Sequence, residues 1–155
     1  MKYKTDQEEF WAGNFGTEYL ERNQGDVLLA SNLNFFVNAL RATHDVKSCI
    51  EFGSNIVMNL KALKLLNPNL EQYAIEINAD AAVELSKSIP SENIYQTSIL
   101  EFETDRTWDL VLIKGVLIHI NPEELVTVYD KLVGASSKFI LIAEYYNPTP
   151  IAISY

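Results

Sequence analysis

Two short turns in this chain carry residues with the right types and spacing to hold a ligand. The first is Glu51-Phe52-Gly53-Ser54-Asn55, where an apolar run ends in an acid and a glycine opens a helix. A glycine there lets the backbone pass close to a ligand, and a helix start offers free N–H donors. The second ends in Glu76, 25 positions after Glu51. An acid at the tip of a second strand can accept both hydroxyls of a ribose. The plain alternatives are a tight turn needing one glycine and a solvated acid in the first turn of a helix.

Two later turns add candidates. Gln96-Thr97-Ser98-Ile99-Leu100-Glu101 offers a hydroxyl and an apolar side chain, suited to edging and covering an adenine ring, or else a plain loop. Ile113-Lys114-Gly115-Val116-Leu117-Ile118-His119 contains one of only two histidines. An imidazole with a pKa near 6.5 suits removal of a proton from an acceptor hydroxyl or amine. A packed or capping histidine is the alternative, and His44, at a helix end, is given no role.

The glycine pattern narrows the ligand. Holding the pyrophosphate of NAD calls for G-x-G-x-x-G, but here only Gly53 is present, with Asn55 and Ile56 at the other candidate positions. The phosphate-loop pattern G-x-x-x-x-G-K-[ST] is absent too. An acid in place of a phosphate cradle fits a ligand with a positive amine and no pyrophosphate, and S-adenosylmethionine is such a ligand.

These turns need a scaffold, and apolar periodicity supplies one. Two short helical pieces flank the break at Gly13 to Gly16, and a helix over Asp26 to about Thr43 buries Leu29, Leu33, Phe36 and Leu40, with Asn32, Asn34, Asn38 and Arg41 largely off that face. Strands are expected over 46–52, 72–77, 93–96, 108–113 and 138–145. Helices are expected over 55–66 and 78–88, and from Asn121-Pro122 to about Val133, where Gly134 ends the last. Alternating strands and helices mean βαβ crossovers, so the fold class is α/β, a doubly wound and mostly parallel Rossmann-like sheet. A single domain is expected, residues 1–45 forming an N-terminal helical lid and 46–155 the α/β core.

Composition agrees. The chain has 155 residues, 48% hydrophobic and 21% charged, with a net charge of −9. That is globular composition, and its acidity argues against a nucleic-acid partner. Cys49 is the only cysteine, so no disulfide framework is possible, and no metal site is expected. The longest apolar run, Phe139 to Ala143, is five residues, far short of a membrane span. A soluble cytoplasmic domain with no membrane partner is expected.

At these residues the sequence resembles class I S-adenosylmethionine-dependent methyltransferases, and more narrowly the methylases associated with pseudaminic acid biosynthesis. The resemblance runs through Phe10-Trp11-x-Gly13-x-Phe15-Gly16-x-x-Tyr19-x-x-Arg22-Asn23, Glu51 to Ile56, and Ala74-Ile75-Glu76-Ile77-Asn78. It continues in Leu112 to Pro122 and Glu144-Tyr145-Tyr146-Asn147-Pro148-Thr149-Pro150. It implies that Glu51, Gly53, Ser54 and Asn55 line the methionine end of the cofactor. Glu76, with Ile77 beside it, holds the ribose, and Ser98 with Ile99 meets the adenine. Lys114 and Gly115 form the floor near the sulfonium. The N-terminal segment folds over as a lid with Trp11 and Tyr19 as walls and Arg22 near the cofactor carboxylate; otherwise its aromatics are a small packing cluster.

The chain departs from the resemblance at two places. The family usually has glycine where Val57 stands, and a β-branched side chain is expected to press on the cofactor's amino-acid end or to shift the helix. The family's sheet has seven strands, whereas this chain reaches Tyr155 just after its fifth. Strand five is therefore expected at an open edge, covered by a second copy or left open in a truncated product, in preference to Pro148 to Tyr155 folding back over it. The reading is methyl transfer from S-adenosylmethionine to a hydroxyl or amine of a small acceptor, sugar or sugar nucleotide, with His119 as base. Its rivals are a non-catalytic S-adenosylmethionine-binding relic or interaction module, and an NAD-dependent oxidoreductase.

Overall fold

The five apolar segments form β1 (Ser48–Phe52), β2 (Glu71–Ile75), β3 (Ile94–Tyr95), β4 (Trp108–Lys114) and β5 (Ser136–Ala143). In this computed structural model, which describes residues 3–22 and 25–149 and only the backbone at 21 and 22, all four pairings are parallel, in the order β3-β2-β1-β4-β5. The expected α/β fold is present. Six α-helices are described: α1 (Asp6–Ala12), α2 (Asn14–Arg22), α3 (Asp26–Ala39), α4 (Met58–Leu66), α5 (Ala79–Leu85) and α6 (Leu125–Ala135).

Strand side chains alternate between the two faces, and both faces are covered. Ile50, Phe52, Ile75, Val111 and Ile113 pack with Val128, Leu132 and Ala135 of α6. Cys49, Ala74, Leu110 and Leu112 pack on the other side with Phe36 of α3, Leu60 and Leu63 of α4 and Leu85 of α5. Register sets the strand tips at one end of the sheet. Phe52 lies opposite Ile75, Ile75 opposite Tyr95, and Lys114 opposite Ala143, so the turns after all five strands open on the same side.

Several element boundaries differ from expectation. Helix α4 begins at Met58 rather than Asn55, because Asn55 and Val57 take left-handed backbone, φ 48° and 71°. That conformation costs a β-branched residue about 1–2 kcal/mol. It is held by packing of Val57 against the core under α3 and α4, and by the 2.7 Å bond from Lys61 N–H to Val57 O. Gly134 does not stop α6, which continues to Ala135 and passes directly into β5 at Ser136. Ala135 is buried against the sheet, and that packing overrides the glycine. Strand three shrinks to two residues behind a 3-10 turn at Ser91–Asn93, and α3 ends at Ala39.

Strand β5 is at the sheet edge, as expected. On it Ile140 and Ile142 are 39% and 48% exposed. No helix among the described residues is long and apolar enough to cross a membrane.

Candidate functional site

The strand tips and the pair α1–α2 enclose a cavity of about 440 Å³, a volume typical of small-molecule sites. Its base is the first two turns. Gly53, at φ 78°, bends the chain so that the N–H groups of Gly53 and Ser54 both donate to Ile75 O, at 3.0 and 3.1 Å. One residue past β2's last pair, Glu76 ties the turns together. Its Oε2 accepts from Asn55 N–H at 2.7 Å and its Oε1 from Asn78 N–H at 2.8 Å. Burial raises the pKa of this carboxyl, and the backbone N–H groups of Asn78 and Asn55 oppose the rise. A carboxylate has about four acceptor positions, so capacity remains for hydroxyls in the cavity that Glu76 lines.

Glu51 behaves differently. It is fully buried and is not among the cavity-lining residues; Asn59 stands between, donating its amide to Glu51 Oε1 at 2.6 Å. Desolvation raises its pKa to about 8, opposed by the Asn59 bond and the Lys114 charge. Because the folded state holds this proton more tightly than the unfolded state, the contribution of Glu51 to stability is fully present below pH 4.5 and is lost as pH rises from there towards 8. The slope approaches about 1.4 kcal/mol per pH unit within that window. Glu51→Gln is expected to flatten the dependence and raise the melting temperature at pH 8, as thermal unfolding across pH 5–8.5 would show. An unchanged slope would contradict the assignment.

The N-terminal helices close the cavity. Thr5 and Glu8 form a capping box on α1, and Glu8 Oε2 accepts from Lys4 and Thr5 N–H at 2.7 and 2.9 Å. Glu8 Oε1 accepts the hydroxyl of Ser98, joining α1 to the loop after β3. The Asn78 side-chain amide lies 3.3 Å from Trp11 O and 3.2 Å from Gly13 O, and Thr17 donates to Asp80 at 2.8 Å. Lys4 pairs with Glu124 at 2.8 Å. Trp11 sits edge-on to Phe15 and Tyr19, both at 5.2 Å, and to His119 at 4.7 Å. The aromatics thus pack as a cluster and wall the cavity at once.

Beside β1, β4 delivers Lys114 and Gly115, the latter at φ 67°. A 3-10 turn, Leu117–His119, follows and presents a half-buried imidazole. Desolvation lowers the pKa of His119 below 6.5, so the ring is neutral at pH 7 and able to take a proton. Glu144 follows β5 directly, and its Oε1 accepts from Val116 and Leu117 N–H at 3.0 and 2.9 Å.

Twelve of the fourteen residues selected from sequence line this cavity. At the turns after β1 and β2 these are Gly53, Ser54, Asn55, Glu76 and Ile77, with Ser98 and Ile99 in the loop after β3. Trp11 and Tyr19 come from α1 and α2, and Lys114, Gly115 and His119 from the end of β4 and the turn after it. The exceptions are Glu51, behind Asn59, and Arg22, whose side chain lies outside the described residues. Val57 is absent from the lining as well; its side chain turns to the core, so the expected pressure on a ligand does not arise. Glu8, Asn32, Asn59 and Glu144 line the site without having been selected. Glu144 had a signal, an acid at a strand tip like Glu76. Asn32, expected off the buried face of α3, is 3% exposed and faces the cavity, which only packing reveals.

No family model and no curated protein matches the chain. Solved structures do. The sugar N-methyltransferase KedS8 from Streptoalloteichus sp ATCC 53650 superposes with a TM-score of 0.71 at 12% identity, over 100% of this chain and 61% of that one. DesVI from Streptomyces venezuelae gives 0.68 at 15% identity, over 99% and 63%. The plantazolicin methyltransferase BpumL, in complex with a pentazolic desmethylPZN analog and SAH, gives 0.63 at 18% identity, over 82% and 50%. The chain therefore has the Rossmann-like fold of class I methyltransferases, and it spans between half and two thirds of these proteins' lengths.

Proposed function

We propose that this chain binds S-adenosylmethionine and transfers its methyl group to a hydroxyl or amine of a small, sugar-derived acceptor in the cytoplasm. The observation that carries this reading is the buried Glu76 carboxylate, level with the single-glycine turn of β1 and free to take a ribose diol. The rest of the cavity suits the same ligand. Asn55 Oδ1 and Asn59 Oδ1 are buried acceptors without partners, on two lining residues, and match the ammonium of an amino-acid moiety. Ser98, Ile99 and Leu100 offer one hydroxyl among apolar groups for an adenine. The neighbours described as methyltransferases, several with SAH bound, support the choice of cofactor. The likeness to KedS8 and the resemblance to methylases of pseudaminic acid biosynthesis support a sugar-derived acceptor.

When bound, with Glu76 holding the ribose and Asn55 and Asn59 the amino-acid moiety, the cofactor would supply an already activated methyl on its sulfonium. The protein's part is then positioning and desolvation. Within residues 1–45, α1 and α2 act as a lid, with Trp11 and Tyr19 keeping water out. Neutral His119 takes the acceptor's proton, a contribution on the order of 10²-fold.

Calorimetric titration with S-adenosylhomocysteine, with NAD as control, tests the reading. Micromolar binding of the first and none of the second is expected. Tighter binding of NAD would turn the reading to hydride transfer, and no binding by folded protein would overturn it. His119→Ala is expected to slow turnover about a hundredfold with S-adenosylhomocysteine affinity retained; equal loss of both would remove the base role.

We further propose that two copies pair through the β5 edge, supported by the partly exposed Ile140 and Ile142 there and the exposed Val126 and Val133 of α6. Sedimentation velocity should show a dimer that Ile142→Lys dissociates, and a concentration-independent monomer would refute it.

A further inference from the structure

Among the described residues that line the cavity, three are carboxylates, Glu8, Glu76 and Glu144, and one is an ammonium, Lys114. The carboxylates are not equivalent. Both oxygens of Glu8 are bonded, to the Lys4 and Thr5 N–H groups and the Ser98 hydroxyl. Glu76 holds an N–H group on each oxygen, and its remaining acceptor capacity belongs to the ribose in the proposed function. Glu144 spends only Oε1 on the backbone, and its Oε2 is shut off from solvent with no partner. Lys114 does not neutralise it. No ion pair joins the two among the described residues, and the Lys114 ammonium lies 5.8 Å from the Phe35 ring centroid, with its charge acting on Glu51.

Position gives this oxygen a use. Gly115 N–H donates to Ala143 O at 2.8 Å, which sets Glu144 beside Gly115 and holds it at the end of the cavity that also carries His119. A buried carboxylate oxygen without a donor is costly, and an ammonium N–H is the donor that relieves it best, through a charge-assisted hydrogen bond. A neutral hydroxyl gives a weaker bond, and an anionic group would meet three carboxylates against one ammonium. We propose that Glu144 is the acceptor-binding carboxylate and that the acceptor is an amine bound as its ammonium, an amino sugar or similar small amine, rather than a plain hydroxyl or an acid; the ammonium gives one proton to His119, and the nitrogen lone pair so freed takes the methyl group as the carbon–sulfur pair stays on sulfur. This rests on the methyltransferase reading and narrows its acceptor class.

The test uses the full chain saturated with S-adenosylhomocysteine and three probes of one size: 2-amino-2-deoxyglucose, glucose and glucuronate, titrated by ligand-observed NMR. The amino sugar is expected to bind at least tenfold more tightly than glucose, with glucuronate weakest. Glu144→Gln retains the Oε1 acceptor for Val116 and Leu117 N–H, so the turn should hold. It is expected to abolish the preference for the amine while S-adenosylhomocysteine affinity changes less than threefold. Equal binding of amine and hydroxyl probes by the unaltered protein overturns the proposal. So does a preference that survives in Glu144→Gln, or failure of the amino sugar to bind when S-adenosylhomocysteine is bound. Failure of S-adenosylhomocysteine itself to bind would instead strike the function proposed above.

Discussion

Replacing Glu76 with alanine is expected to weaken S-adenosylhomocysteine binding by two orders of magnitude or more. Hydrogen bonds to a charged group contribute about 1.5–3 kcal/mol each, and a ribose diol would make two with this carboxylate. The loss is then about 3–6 kcal/mol, or roughly 10²–10⁴-fold at 1.4 kcal/mol per tenfold change. The substitution also leaves the N–H groups of Asn55 and Asn78 without their acceptor, so some fall in melting temperature should accompany it. Glu76→Gln separates the two effects, since it keeps one oxygen acceptor. It should recover part of the stability and only a small part of the affinity. Calorimetry on both variants, with thermal unfolding beside it, decides the matter. A loss under tenfold in the alanine variant would mean that the ribose lies elsewhere.

The second large effect is expected at Gly16. A Cβ there would stand 2.0 Å from Trp11 O and 2.8 Å from Asn78 Nδ2. The first of these is backbone, so α1 and α2 cannot stay packed as they are. Gly16→Ala should therefore release the N-terminal pair from Asn78, shift Trp11 fluorescence to longer wavelength, and lower S-adenosylhomocysteine affinity at least tenfold. The sheet and its two cores lie elsewhere, so their unfolding transition should move little. Gly13→Ala is the control: its Cβ comes no closer than 3.1 Å, to Glu9 O, and a mild effect is expected. Unchanged hydrogen-exchange protection of α1 and α2 in Gly16→Ala would show that the pair tolerates the methyl, and would remove the basis for treating it as a fixed cover.

The closeness of α1 and α2 explains why Gly16 was legible only in part. The sequence places glycines at 13 and 16 in one aromatic segment and suggests a break between two helices there. The break falls at Gly13 alone, and Gly16 lies inside α2, where its missing side chain makes room for the Trp11 carbonyl. A glycine in a sequence signals either backbone freedom or lack of bulk. Choosing between them needs the neighbour, and here the neighbour comes from the preceding helix.

Strand and helix alternation was readable because it rests on periodicity over a few residues, and so were the turn chemistry at Gly53 and the acid at the tip of β2. Such features depend on neighbours near in the chain. Which acid faces the cavity was decided by register. Glu51 pairs with Ala74, two residues short of Glu76, and that offset puts Glu51 inside the strand against Asn59 and Glu76 beyond the last pair, at the cavity. The same holds for Asn32, polar on a helix yet 3% exposed, and for Glu144, whose unpartnered oxygen has meaning only once β5 lies beside β4. The sequence by itself determined the elements, their parallel order of connection and the turns that would bear chemistry, since local sterics and hydrophobic period act within each segment. Only the tertiary structure decided which polar groups are desolvated and left facing one another, because burial and its electrostatic consequences belong to packed elements and not to any one of them.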